Sequence, residues 1–219
     1  SGFVAGQGAT TNQAQGAYDS RNAGDRTVTA SLDAANYTAA SGTLLSNYVL
    51  PTTAVGAGRI TPAALLAAII GDPRRAYDGT TIAYLQSSNF QLTGLIAGDT
   101  VSVTQDRGVY DDKNAGSRGV SATLPASNFA TGSGTLLSNY VLPSSASGVG
   151  TIERAPLTAS IIGYPSKRFD GSATATLTSD NYAIAGLAPG ESALITQTTG
   201  QYDSAAAGPR TVTAQLTDP

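Results

Sequence analysis

The feature that most restricts this chain is an internal repeat. Gly42-Thr-Leu-Leu-Ser-Asn-Tyr-Val-Leu-Pro51 recurs letter for letter at Gly134–Pro143, 92 positions later. Tyr18-Asp19, Tyr110-Asp111 and Tyr202-Asp203 are spaced by the same 92 residues, as are Tyr77-Asp78-Gly79 and Phe169-Asp170-Gly171. Gly94-Leu95 with Gly98-Asp99 returns as Gly186-Leu187 with Gly190-Glu191. One offset without insertions makes the chain a stretch of a tandem array, in which each unit folds locally and meets only its neighbours. The seams follow Ile60-Thr-Pro62 and Ile152-Glu-Arg154. Residues 63–154 then form a complete repeat, 1–62 the later two thirds of one before it, and 155–219 the first two thirds of one after it. No Gly/Ser linker lies at either seam, so the repeats are expected to abut as a semi-rigid string.

Within a repeat the period is two. Thr27–Leu32, Val101–Thr104 and Thr211–Leu216 alternate apolar and small polar residues, as half-buried strands do. Turn residues interrupt such runs about every ten positions, the rhythm of a sandwich or barrel. The best helical stretch, Pro62–Ile70, has a counterpart, Pro156–Ile162, in which β-branched residues replace alanines, so both read as strand. The expected fold is all-β, a 92-residue sandwich repeated in tandem.

The recurring side chains suit turns and packing. In Tyr77-Asp78-Gly79 and Phe169-Asp170-Gly171, Asp can accept from the backbone two residues on, and Gly supplies a positive φ. The aromatic is expected to bury its ring, with its hydroxyl dispensable because Phe169 replaces Tyr77. Tyr110-Asp111 through Gly116 reads as an aromatic anchor followed by a turn, and Tyr48 and Tyr140 read as core. Asn22 and Asn114 have Ala206 as their third counterpart and are given no chemical role.

Composition removes several chemistries. The chain has no His and no Cys, hence no imidazole base, thiolate nucleophile or disulfide. Twelve basic against fifteen acidic residues leave a net charge of −3, which argues against nucleic acid as a partner. No apolar run is long enough to insert in a membrane. Ser1-Gly2-Phe3 lacks the pattern of a signal peptide, so either export information lies outside this stretch or the chain stays inside the cell. The only lysines, Lys113 and Lys167, align with Arg21, Ala205 and Arg75, which rules out a lysine cross-link in every repeat. A catalytic site duplicated in each repeat would keep its carboxylates, yet only the turn aspartates persist, so no enzyme is expected.

Arg75–Thr81, Gly94–Asp99, Tyr110–Gly116, Ser138–Leu142 and the Ile60–Pro62 seam together resemble the YDG repeat of large filamentous-haemagglutinin-like bacterial surface and exported proteins. The resemblance covers the central repeat and both partial ones. It implies Ig-like β modules stacked end to end in a rod: a stalk or spacer of a secreted or surface-anchored adhesin or extracellular fibre. It implies an extracellular location and no catalytic residues. Neighbouring repeats are the expected partners, with other copies of the chain or a host or bacterial surface ligand after them.

Two rivals share the same residues. Calcium could stiffen a rod through Asp78, Asp99 and Asp111, but no Asp-x-Asp-x-Asp loop exists and Asp99 becomes Glu191. The expected cofactor set is therefore empty, with calcium the alternative. The repeats could also themselves bind a glycan, a matrix protein or copies of the same chain. Tyr84 and Tyr164 align with Thr176 and Asp72, so they are the tyrosines expected at the surface.

Overall fold

The computed structural model describes residues 2–217; the outermost positions of the two partial repeats, Ser1 and 218–219, lie outside the described residues. Among the described residues there are strands and short 3-10 turns but no α-helix. No helix is long and apolar enough to cross a membrane.

The first partial repeat contains β1 (Ala9–Thr11), β2 (Ala17–Tyr18), β3 (Gly24–Ser31), β4 (Tyr37–Ala39) and β5 (Thr53–Ile60). The central repeat opens with β6 (Ala63–Ala64), β7 (Leu66–Ile69), β8 (Arg74–Ala76), β9 (Ile82–Tyr84) and β10 (Phe90–Thr93). It continues with β11 (Val101–Val103), β12 (Arg107–Tyr110), β13 (Gly116–Thr123), β14 (Phe129–Thr131), β15 (Tyr140–Val141) and β16 (Ser145–Glu153). The last partial repeat holds β17 (Thr158–Ile161), β18 (Thr174–Thr176), β19 (Tyr182–Ala185), β20 (Thr199–Tyr202) and β21 (Val212–Thr213). The Ala- and Leu-rich stretch after Pro62 is β6 and β7, the strand that its β-branched counterpart pointed to.

Pairing follows the sequence period. Tyr18 faces Val28, Tyr110 faces Val120 and Tyr202 faces Val212 in three antiparallel pairs of one register. Ala9 opposite Ala39 repeats as Val101 opposite Thr131. Ile82 opposite Val109 repeats as Thr174 opposite Gln201. A one-residue slip would turn every side chain to the other face, so a shared register means shared inward positions.

The chain divides into two compact units. The first joins Ser1–Ala68, Phe90–Thr104 and Thr123–Ala146; the second joins Ile69–Asn89, Gln105–Ala122 and Ser147–Pro219. Each unit combines a partial repeat with part of the central one, so each seam lies inside a unit. In the first, β5 pairs along its whole length with β3, β11 pairs with β14, and β6 lies parallel to β15. Its core includes Leu65, Val103, Leu124, Phe129, Tyr140 and Ala146. In the second, strands run in the order β16-β13-β12-β9, and β8 pairs in parallel with β16. There Ile69, Ala83, Leu85, Tyr110, Val120 and Ile152 are buried, as are Ala175 and Leu177 of the last repeat. Large aliphatics and Tyr supply most of the apolar area removed from water, the main favourable contribution to folding.

Candidate functional site

The recurring residues fall into two kinds of place, the turn that carries Asp-Gly and the seam between successive repeats. At the turn, Asp78 Oδ1 accepts from the Thr80 N–H at 2.8 Å, and Asp170 Oδ1 from the Ser172 N–H at 2.8 Å. Gly79 and Gly171 take φ of 79° and 76°, a region that disfavours a Cβ. The expected turn chemistry is therefore present in both copies.

A basic residue three positions earlier completes the turn. Arg75 bridges Asp78 and the Thr80 carbonyl, and its guanidinium lies 5.6 Å from the ring centre of Tyr110. Lys167 does the same with Asp170 at 2.8 Å, the Ser172 carbonyl at 2.8 Å and the Tyr202 ring at 5.9 Å. Arg75 is 8% exposed at its side chain, so its planar charge is held between a carboxylate and an aromatic face. Burial pulls the Asp78 carboxyl up, but hydrogen bonds from Arg75 and Thr80 outweigh it and hold the group below the usual range. The Lys167 hydrogen bond, with those from Ser172, holds Asp170 at about 2.

Tyr110 is the anchor of the second motif. It is 2% exposed, and its hydroxyl donates to the Pro73 carbonyl at 2.8 Å; Tyr202 donates to Pro165 at 2.9 Å. The turn that follows closes on Gly24, Gly116 and Gly208, with φ of 127°, 131° and 130°. An arginine two residues later clamps it. Arg26, Arg118 and Arg210 each donate Nε–H to the carbonyl of residue 22, 114 or 206 at 2.8 Å. These arginines were legible through the 92-residue offset, but their partners are backbone oxygens, which no motif spells out.

The first seam sets the 21–23 loop of one repeat against the next. Asn139 Oδ1 accepts from the Ala23 N–H at 2.9 Å, and Asn139 Nδ2 donates to Asn22 Oδ1 at 3.0 Å. Asn22, given no chemical role from the sequence, thus joins two repeats; the counterpart of Asn139 in the last repeat lies past the end of the sequence. Asp99 sits beside this contact with its side chain 9% exposed. It accepts from the Tyr140 hydroxyl at 2.6 Å and lies 3.5 Å from Arg21 of the preceding repeat. Tyr140 also accepts from the Ile96 N–H at 3.1 Å, and Thr135 Oγ1 from the Thr100 N–H at 3.0 Å. The same pair of bonds recurs as Val4 to Tyr48 at 3.2 Å and Gly8 to Thr43 at 3.0 Å. The hydrogen bond to Asp99 favours the neutral phenol and raises the pKa of Tyr140.

The second seam uses the same surfaces with different side chains. Tyr77, Asn114 and Ala115 line a depression of about 320 Å³ with Leu157, Leu187, Ala188 and Glu191 of the last repeat. Tyr77 donates its hydroxyl to Glu191, which raises the phenol pKa. The expectation of an idle hydroxyl on a buried ring is corrected on both counts. Tyr77 is half-buried with its hydroxyl bonded across the seam, and Phe169, its counterpart, is 71% exposed. Gln7, Asp99 and Glu191 occupy one repeat position and all accept from a tyrosine: Tyr48, Tyr140 and Tyr77 respectively. Reading that position for charge alone hid it, because what persists is a hydrogen-bond acceptor.

The three calcium candidates are not brought together. Asp78 is held by Arg75, Asp99 by Tyr140, and Asp111 lies against Gly119, where an added Cβ would stand 2.8 Å from Oδ2. Among the described residues no group of three or more His, Cys, Asp or Glu is placed to hold a metal ion. Of the tyrosines expected at the surface, Tyr84 stacks under Arg107 at 5.6 Å, and Tyr164 is 98% exposed. Tyr164 has φ 49°, as its counterpart Asp72 has φ 48°, each following a glycine of positive φ. Both occupy a turn position that suits Asp far better than Tyr.

A comparison with curated proteins finds no match, and a comparison with solved structures finds none either. A family model described as the YDG domain matches residues 61–148 and again 153–218. Two consecutive matches that together take in most of the sequence place the chain in the YDG domain family.

Proposed function

We propose that these are structural spacer repeats, Ig-like β modules stacked end to end, from a large secreted or surface-anchored bacterial adhesin or extracellular fibre. The modules are 1–62, 63–154 and 155–219, the outer two partial, and they work outside the cell without a cofactor. The observation that carries this reading is what the recurring side chains touch. Tyr110, Tyr202, Arg118, Arg210, Asp78 and Asp170 bond the backbone of their own repeat. Asn139, Asp99 and Glu191 bond the repeat next to them. Chemistry that recurs is directed inward or to a neighbour, and the chain is sparsely charged, with 12% charged residues. A chain without Cys or Met offers little to oxidise outside the cell. Adjoining repeats are the partners; nucleic acid and a membrane interior are not.

Small-angle scattering on the chain tests the arrangement. An elongated envelope with the repeats in line is expected, and a compact globular one rejects it. A glycan array probed with the chain tests the role: no specific signal is expected, and micromolar binding would make the repeats binding modules instead.

A further inference from the structure

The outer face of one sheet differs between repeats in a way that folding does not require. In the central repeat β9 pairs with β12 so that Ile82 stands opposite Val109 and Tyr84 opposite Arg107. Ala83 and Gly108 between them are buried, which leaves Ile82, Tyr84, Arg107 and Val109 together on the exposed face. The last repeat pairs β18 with β20 in the same register, and there Thr174, Thr176, Thr199 and Gln201 fill the same positions, all exposed. A face that folds with threonines and a glutamine has no need of Ile, Tyr and Val for folding. β9 also ends its sheet. The strands run β16-β13-β12-β9, and among the described residues no strand pairs with the far edge of β9. β16, the last strand of the repeat, is already in place beyond β13, so the edge belongs to the complete repeat. β18 ends its sheet in the same way, with the whole central repeat before it. The Thr81 carbonyl and the Leu85 N–H bond toward β12. Alternation then directs the main-chain groups of Ile82 and Tyr84 outward, where the Ile82 N–H makes a long contact of 3.5 Å with the Thr80 hydroxyl.

We infer that this edge takes the same edge of a second copy, β9 against β9 in antiparallel pairing about a two-fold axis at Ala83. That register sets Ile82 opposite Tyr84 of the second copy, and each such pair exchanges both main-chain bonds. An aromatic facing a β-branched side chain is among the favourable cross-strand pairs. The two sheets become one, and Arg107 and Tyr84 of one copy stand in a row with Ile82 and Val109 of the other. Charge suits this occupant. Arg107 is the one charged side chain of the four, and its guanidinium lies 5.6 Å from the ring centre of Tyr84 in its own copy. The two-fold axis puts the two Arg107 side chains at opposite corners of the join, at least three strand spacings or roughly 14 Å apart. That exceeds the Debye length of about 8 Å at physiological salt, so the like charges are screened. A few side chains a copy fall well short of the roughly 800 Å² a side of a standard interface, so the dimer is weak and reversible. The contact is isologous, uses both edges and stops at two copies. The inference rests on this edge and not on the spacer reading, which scattering and glycan binding decide.

Sedimentation equilibrium of the 22.0 kDa chain over rising concentration should show a reversible dimer and nothing larger. Ile82→Thr combined with Tyr84→Thr gives β9 the Thr-Ala-Thr sequence of β18, which the same place in the last repeat already accepts. That variant should keep its circular dichroism spectrum and raise the dimer dissociation constant at least tenfold. The register has its own test, because the chain contains no Cys. Mild oxidation of an equimolar mixture of Ile82→Cys and Tyr84→Cys chains should link one chain of each kind, and neither variant alone should cross-link comparably. If the double threonine variant unfolds, the cross-link decides. A chain that stays monomeric at every concentration overturns the inference. So do growth past two copies, a dissociation constant unchanged in the folded double threonine variant, and cross-linking of either cysteine variant alone as readily as the mixture.

Discussion

Tyr110 shows how one side chain can serve packing and hydrogen bonding together. Its ring lies in the core under Arg75, and its hydroxyl reaches the Pro73 carbonyl, which also accepts from the Thr151 N–H. Because the carbonyl keeps that second partner, Tyr110→Phe removes one bond without stranding a buried acceptor. The expected cost is about 1 kcal/mol, read as a lower denaturation midpoint with unchanged slope. A loss above about 3 kcal/mol would mean that the hydroxyl holds the whole turn. Asp170 offers a pH test of the same turn. Its carboxyl is lowered from 3.8 to about 2, with the Lys167 hydrogen bond the largest cause. A carboxyl lowered on folding stabilises above its unfolded value, and the benefit fades as pH falls through its folded value. That window runs from pH 3.8 down to about 2. Carbon-detected NMR titration should place the Asp170 midpoint near 2, and Lys167→Ala should move it up toward 3.8; an unmoved midpoint would refute the assigned cause.

At the scale of elements, the strands were legible because alternation of apolar and small residues maps directly onto the two faces of a pleated strand. The turns were legible for a similar reason, since Asp-Gly satisfies local backbone geometry without help from distant residues. The seams were not. Asn22 and Asn139 are 117 positions apart, and Ala206 stands where Asn22 would recur in the last repeat. Their bond depends on how two repeats abut, which no local window encodes. A double-mutant cycle of Asn22→Ala and Asn139→Ala should give a coupling of about 0.5–3 kcal/mol, as residues in one network do. Strict additivity would remove the seam bond as an energetic contribution. The ion pair of Arg21 with Asp99 should add little, because Arg21 is 74% exposed and keeps most of its water at a separation of 3.5 Å.

For the molecule as a whole, the calcium question turns on whether carboxylates gather. Asp78 and Asp99 are each held by a partner of their own, and Asp111 lies against Gly119, whereas a hard cation needs six to eight oxygens around one point. Adding a chelator should leave the melting temperature unchanged, and a drop of several degrees would show a site that assembles these groups. The sequence by itself determined the period, the strand content and the turn chemistry, because each depends on neighbours in the chain or on an exact recurrence. Only tertiary structure decided that Asp99 accepts from Tyr140 of its own repeat while pairing with Arg21 of the one before, that Tyr77 uses its hydroxyl, and that Gly148 and Gly150 mark a strand packed closely against its neighbours. Those roles come from atoms brought within bonding distance across tens of residues, and spacing along the chain carries no record of such approach.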